Sequence, residues 1–388
     1  MNLADYRRAA GEWLRENVPT DDYPEADGIA RAKEFMAKLY DAGYSGITWP
    51  KEWGGQGLTQ AEERVFAEEA RDYTLPTYIF SIGLGMTGPT IVDRGSDAQR
   101  ERFVRPLLRG EEVWCQLFSE PGAGSDVASL QTRAVRDGDH WIVNGQKVWT
   151  SVAHHADWGL LLARTDVDVP KHKGLTMFVI DMHHPGVTVR PLKDMSGRAN
   201  FNEIFFDNVP IPDEHRVGEV NDGWSVAVTT LLHERLSISA GVGMGQQKDH
   251  PASLEALRQA LDTSDPLVRD ELVELHVRNR ALALFNQRLA QETRAGVFPG
   301  ARGSAAKLLL AELTLYQADL ATRLVGPETA LADHPLARAI SMAPGMALGG
   351  GTNEIMRNIV GDRVLGLPPE PRVDKTVPFK DLKVGTQA

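Results

Sequence analysis

The feature that most limits the fold is a double change of texture along the 388 residues. Residues 1–113 read mostly helical. Ala30 to Ala42 sets Phe35, Met36, Leu39 and Tyr40 on one side before Gly43, and Gln60 to Arg71 and Asp97 to Leu108 show helical patterning too. Turn formers and two aromatics at Trp49–Gly55 interrupt that pattern. From Trp114 to about Gly223 the chain turns to short β-rich runs broken by Gly, Pro and Asp. His140 to Val143 alternates and meets Asn144-Gly145, which predicts a hairpin turn there. Gly159 to Ala163, Leu175 to Ile180, Val187 to Val189 and Asn202 to Phe206 are further predicted strands, and Pro170 to Lys173 a charged loop. Trp224 opens a second helical region, with three- and four-residue apolar spacing over Leu254 to Leu261 and Leu267 to Leu289. Ala305 to Leu324 is a further predicted helix ended by Gly326-Pro327, Pro335 starts another, and the polar tail after Pro368 is predicted to be a surface arm. This order predicts a multidomain α+β chain divided at 1–113, 114–223 and 224–388.

Composition narrows the function. The net charge of −11 and pI of about 5.5, with no basic stripe, argue against nucleic acid as a partner. The only cysteine, Cys115, excludes an internal disulfide and thiolate metal clusters and is expected to be packed beside Trp114 and Leu117. His154-His155 and His183-His184 are adjacent pairs whose side chains diverge in a strand, so no metal site is expected. Asp5, Arg7, Arg8 and Glu12 do not suit a secretory signal, and no stretch is long and apolar enough for a membrane span. The expected location is the cytoplasm.

The run Cys115-Gln-Leu-Phe-Ser-Glu-Pro-Gly-Ala-Gly-Ser-Asp126 is a poor helix and a poor central strand. It suits a loop that offers backbone N–H groups and hydroxyls to a polar ligand. Together with Gly145-Gln-Lys-Val-Trp-Thr-Ser151, Leu232-His-Glu-Arg-Leu236 and Gly350-Gly-Thr-Asn-Glu-Ile355, in that order, it resembles the acyl-CoA dehydrogenase family, in particular its actinobacterial members. The resemblance spans nearly the whole chain. It implies an N-terminal helical domain, a central β-domain and a C-terminal four-helix bundle. It also implies noncovalent FAD, an acyl-CoA thioester oxidised to the trans-2-enoyl-CoA, and electrons leaving through an electron-transfer flavoprotein. By the same resemblance Phe118, Ser119, Trp149 and Ser151 meet the flavin ring. Thr352 and Glu354 lie near the rest of FAD, and Ser125, Arg235 and Gly350 near the substrate.

Such a reaction needs a base for the α-proton and an acceptor for the β-hydride, and since no side chain accepts hydride a redox cofactor is required. The family's mechanism passes that hydride to flavin N5. Burial beside an apolar chain would strengthen a carboxylate as the base, and hydrogen bonds to the thioester oxygen would stabilise the enolate. Many family members carry the base immediately before the Gly-Thr of the last motif. That position is Gly350, which has no proton acceptor. Isovaleryl-CoA and long-chain acyl-CoA dehydrogenases carry it instead in a Glu-Arg-Leu segment, which Glu234-Arg235-Leu236 matches, so Glu234 is the expected base.

Two family elements are missing. The Arg-x-x-Phe-Gly that reaches FAD from a neighbouring subunit is absent around Gln246–Pro251, and Leu324–Glu328 replaces a glycine-rich FAD contact. Either a homodimer or homotetramer holds FAD by other contacts, or a heterotetramer with a paralogous subunit shares the site. A silent structural subunit and a flavin-dependent oxidase are the alternatives to a dehydrogenase. Gly241, Gly243 and Gly245 either make room for a bulky acyl group or form tight helix contacts.

Overall fold

The computed structural model describes residues 2–19, 28–240, 250–295, 300–372 and 374–382. The first part is helical: α1 (Leu3–Asn17), α2 (Gly28–Asp41), α3 (Gln60–Ala70), α4 (Gly88–Arg94) and α5 (Asp97–Arg109). Local chemistry sets these ends. Thr59 with Glu62 and Ser96 with Gln99 close capping boxes at the starts of α3 and α5. A π-helical turn, Gly83–Thr87, leads into α4.

The centre is one eight-stranded sheet: β1 (Trp114–Leu117), β2 (Arg133–Asp137), β3 (His140–Ser151), β4 (Trp158–Arg164), β5 (Leu175–Asp181), β6 (Val187–Leu192), β7 (Phe201–Pro212) and β8 (Arg216–Val217). The order is β6-β7-β3-β2-β4-β5-β8, with β1 parallel to β4. Both faces of β4 and β5 are covered, which is why they read as unbroken apolar runs. Leu160, Leu162, Met177 and Val179 pack with Phe103 and Leu107 of α5, whereas Leu161, Ala163, Phe178 and Ile180 join the core that reaches the aromatics of α2 and α3.

The hairpin expected at Asn144-Gly145 is not there. β3 runs straight through that pair, with a register shift against β7 between Val143 and Gly145, and the turn lies at Gly138-Asp139. Gly138 takes φ 63°, which suits it to a tight turn between β2 and β3. Asn-Gly here makes a bulge rather than a turn.

The last part is a helical bundle of α6 (Gly223–Ala240), α7 (Leu254–Ala260), α8 (Pro266–Arg294), α9 (Arg302–Val325), α10 (Pro335–Leu348) and α11 (Asn353–Arg363). Val226 and Ala227 of α6 insert into the sheet core, and Leu257, Leu275, Leu320 and Leu336 form the bundle's own core. The tail is not simply a surface arm. Asp374 pairs with Lys171 at 2.5 Å, Phe379 is buried beneath the Arg164 guanidinium (3.7 Å to the ring centre), and Phe379 N donates to Val169 O at 2.9 Å. The fold is thus an N-terminal helical domain, a central β-domain and a C-terminal helical bundle.

Candidate active site

The three parts meet around a cleft of about 4330 Å3, several times an ordinary ligand pocket of roughly 300–1,000 Å3. One wall comes from α6. Glu234 is half-buried there, and Gln116 of β1 donates from Nε2 to its Oε2 at 3.1 Å. Burial pushes the Glu234 carboxyl above the usual range, while the Gln116 bond and the charges of Arg235 and Lys307 oppose the rise. Burial also lowers Arg235, against the charge of Glu234. Gln116 Oε1 and Arg235 Nε are buried with no hydrogen-bond partner among the described residues. Such orphaned atoms beside a carboxylate mark where a polar ligand group or water belongs.

The glycine turn between α10 and α11 faces the same space. Gly350 and Gly351 take φ 66° and 89°, a left-handed path open to glycine, and the Gly351 carbonyl accepts from the fully buried Lys307 Nζ at 2.6 Å. Thr352 lines the cleft and caps α11, its hydroxyl accepting from Ile355 N at 3.2 Å. Glu354 is exposed, 3.7 Å from Arg357 and off the cleft wall, so this chain does not gather it with the other candidates.

The third wall belongs to the β-domain. Trp149 takes φ 61° within β3, where the pairing with β7 shifts register between Lys147 and Thr150, and stands 57% exposed on the cleft, braced edge-on by Phe201 at 5.8 Å. A left-handed backbone at a bulky residue is uncommon and costs of order 1–3 kcal/mol, so it points to function. Val148 N donates to Ser119 O at 2.9 Å, which ties Ser119 to the residue before Trp149, and Ser151 follows two positions on. Phe118 is buried, and Ser125 is exposed on the cleft rim.

Sequence reasoning missed the pair that holds this wall. Lys147 is fully buried in β3 and donates both to Phe118 O and to Glu120 Oε1, each at 2.9 Å. Glu120 also accepts from Gln131 N and Thr132 N. Burial alone would raise Glu120, but the charge of Lys147 and these bonds outweigh it and hold the carboxyl below the usual range. Burial likewise lowers Lys147, even with Glu120 beside it. The available signal was a lysine between the apolar positions of a strand. Of the two missing family elements, residues 241–249, including the three glycines after α6, lie outside the described residues. Gly326 follows α9 as its C-cap and leads into a short turn at Pro327–Ala330.

A flavin would need a broad apolar face and hydrogen-bonding groups at its polar edge. Trp149, Ser119 and Ser151 all line the cleft and would supply these, so the residues present fit FAD. Among the described residues no cluster of His, Cys, Asp and Glu has the makings of a metal site, and no helix is long and apolar enough to cross a membrane.

Comparison with known proteins agrees with this geometry. Models of the N-terminal, middle and C-terminal domains of acyl-CoA dehydrogenases match residues 3–111, 115–209 and 221–365. The acyl-CoA dehydrogenase FadE34 of Mycobacterium tuberculosis is 41% identical over 333 residues, covering 85% of this chain but 45% of that protein, so the chain spans less than half its length. The acyl-CoA dehydrogenase IpdE1 of the same organism is 33% identical over 383 residues, covering 95% of this chain and 99% of that protein. The ChsE4–ChsE5 complex of M. tuberculosis superposes with a TM-score of 0.79 at 29% identity, over 95% of this chain and 98% of the matched chain. With the three domain models matched in order, a full-length relative and a cleft that fits flavin, the chain belongs to the acyl-CoA dehydrogenase family.

Proposed function

We propose that the chain is an FAD-dependent acyl-CoA dehydrogenase in which Glu234 removes the α-proton of the thioester. The observation that carries this reading is the half-buried Glu234, its carboxyl desolvated on the cleft wall and held by Gln116, while the alternative base position on the same cleft is a glycine. Desolvation raises the proton affinity of Glu234 and makes it a stronger base than a carboxylate in water. The Gln116 bond fixes one oxygen, so the second is free to face the substrate. Bound against Trp149, Ser119 and Ser151, FAD supplies the acceptor for the hydride that leaves the β-carbon. Arg235 keeps a cation beside Glu234 and favours its ionised form. The unpartnered Arg235 Nε adds a buried donor for charge developing near the base.

Glu234→Gln keeps shape and removes the base. The flavin-loaded variant should lose at least about three orders of magnitude in turnover, within the range expected for a lost general base, while keeping its yellow colour. A panel of short, long, branched, aromatic and steroid-like acyl-CoAs with an artificial electron acceptor defines the substrate. Turnover retained by the variant on any of them would rule out Glu234.

A second reading concerns assembly. FadE34 extends well beyond the matched segment, and the ChsE4–ChsE5 match is named as a complex. These facts support a paralogous partner that completes the FAD site where the family's arginine element is missing, with an electron-transfer flavoprotein as the electron acceptor. Flavin content after expression alone and after co-expression with a paralogue tests it. Full flavin loading of the lone chain as a homomer would remove the need for the partner.

A further inference from the structure

The β-domain wall of the cleft is held in a shape that its own side chains resist. Trp149 has φ 61° and Val152 φ 52°, both left-handed, with Thr150 and Ser151 between them. For a bulky or β-branched residue that region is a genuine outlier, and it persists only where neighbouring structure imposes it. The Trp149 ring is more than half exposed, so its packing does not impose the turn. Something behind the wall must.

Asn202 stands there. It pairs with Thr150 where β3 and β7 resume their register, and it is fully buried. Its row on β7 continues with buried Ile204 and Phe206, so an amide takes the place of an apolar residue in the sheet core. A buried amide costs free energy unless its atoms are paired. Both are: Nδ2 donates to Thr150 O at 3.0 Å, and Oδ1 lies 3.1 Å from His154 Nδ1. Donation from Nδ2 makes Oδ1 the acceptor, so His154 carries its hydrogen on Nδ1. One side chain thus ties the residue before Ser151 to the residue three positions past it. The backbone closes the same span, Val152 N donating to Asn200 O at 3.2 Å and His155 N to Val152 O at 2.9 Å. The segment cannot relax into a plain strand without leaving the Asn202 amide or the Thr150 carbonyl unpaired in the core. Neither Asn202 nor His154 lines the cleft, whereas Trp149 and Ser151 do.

We propose that Asn202 is the positioning residue of the flavin wall: bonded to Thr150 and braced by His154, it holds the backbone that turns Trp149 and Ser151 to the cleft. Asn202 acts through Thr150, and His154 acts through Asn202 by keeping its amide in the donating orientation. This rests on the dehydrogenase reading above, in which FAD lies against Trp149 and Ser151, and adds the residues that set that surface.

The test uses the purified flavoprotein, alone or with a co-expressed paralogue if that is the form that loads, stripped of flavin and titrated with FAD. Tryptophan fluorescence and visible absorbance follow binding, and circular dichroism confirms that each variant is folded. Asn202→Leu keeps the volume and removes both bonds; the folded variant binds FAD at least about tenfold more weakly, and its bound flavin absorbs more like free FAD. His154 is exposed, so its replacement spares the core. His154→Ala removes only the brace and weakens binding about 3- to 10-fold. His154→Gln, whose amide can donate to Asn202 Oδ1, restores binding to within about twofold of the parent. A folded Asn202→Leu with the parental affinity and spectrum overturns the proposal, as does a His154→Gln that binds no better than His154→Ala. If Asn202→Leu does not fold, the two His154 variants decide it. Failure of the unaltered protein to take up FAD in either form overturns instead the dehydrogenase reading on which the proposal rests.

Discussion

Replacing Lys147 by Met should damage the protein far more than its distance from the reacting carbons suggests. The Lys147 side chain is fully buried and that of Glu120 is 9% exposed. In Lys147→Met the carboxylate keeps two backbone N–H donors, from Gln131 and Thr132, but loses the lysine it is ion-paired with, and Phe118 O loses its donor. Breaking a buried pair by removing one partner costs about 3–5 kcal/mol, a large part of a typical total of about 5–15. Because burial holds both groups under strain of solvation, the pair serves to position the wall more than to add net stability, and removing both charges should hurt less. Lys147→Met/Glu120→Gln should therefore recover at least about half of the single variant's loss. Urea unfolding followed by tryptophan fluorescence measures the cycle, and flavin absorbance reports the wall. The single variant should also release flavin, because Phe118 and Ser119 lose their anchor. The sign with pH follows from Glu120. Its depressed carboxyl contributes stability at neutral pH that is lost as pH falls through its folded value; in Lys147→Met burial is left to raise that value, so the acid-side loss due to Glu120 should shrink. A single-variant loss under about 1 kcal/mol, or a double variant that costs the sum of the singles, would refute the reasoning.

Other consequences are equally direct. Since Glu234 must be ionised to act, kcat/KM should fall on the acid side through a pKa above that of ordinary glutamate, and Gln116→Leu should move this limb still higher; a limb at the ordinary value would count against the assignment. A raised carboxyl favours the fold when protonated, and that advantage is lost as pH rises through its folded value. Glu234→Gln should therefore unfold at a higher temperature than the parent at neutral pH, with the difference vanishing below about pH 4, and calorimetry at two pH values decides it. Phe379→Ala removes the buried anchor of the tail at a cost of about 3 kcal/mol. It should speed proteolytic clipping within residues 374–382, and unchanged clipping would show that the ring contributes little.

The layout of helices, sheet and helices was legible because each part carries its own periodicity: α2, α3, β4, β5 and α9 formed close to where their patterns begin and end. What stayed hidden depended on distant partners. Asn144-Gly145 has the composition of a hairpin turn, yet Asn144 Nδ2 donates to Asn208 of β7 at 3.2 Å and the strand continues, a choice made by pairing 64 residues away. Asn202 to Phe206 covers only the first half of β7, because Pro210 and Pro212 read as breakers although they lie past the end of β6, where one edge is free. At the site, Glu234 was legible through a three-residue likeness and a missing side chain at Gly350. Lys147 with Glu120, and Gln116 with Glu234, were not, since each pair is separated by tens of residues and becomes a pair only when β1 and β3 are in place. Glu354, expected beside FAD, is exposed in this chain.

The docked tail has a practical consequence. Asp374 and Asp126 share one lysine, Lys171, whose neighbours His172 and Lys173 stand on the rim of the cleft. An affinity handle joined directly after Leu382 would pull on the three-residue anchor Phe379–Asp381, and through Asp374 and Lys171 on that part of the cleft rim. Purification handles for this chain belong at the amino end, where α1 is not part of the cleft wall.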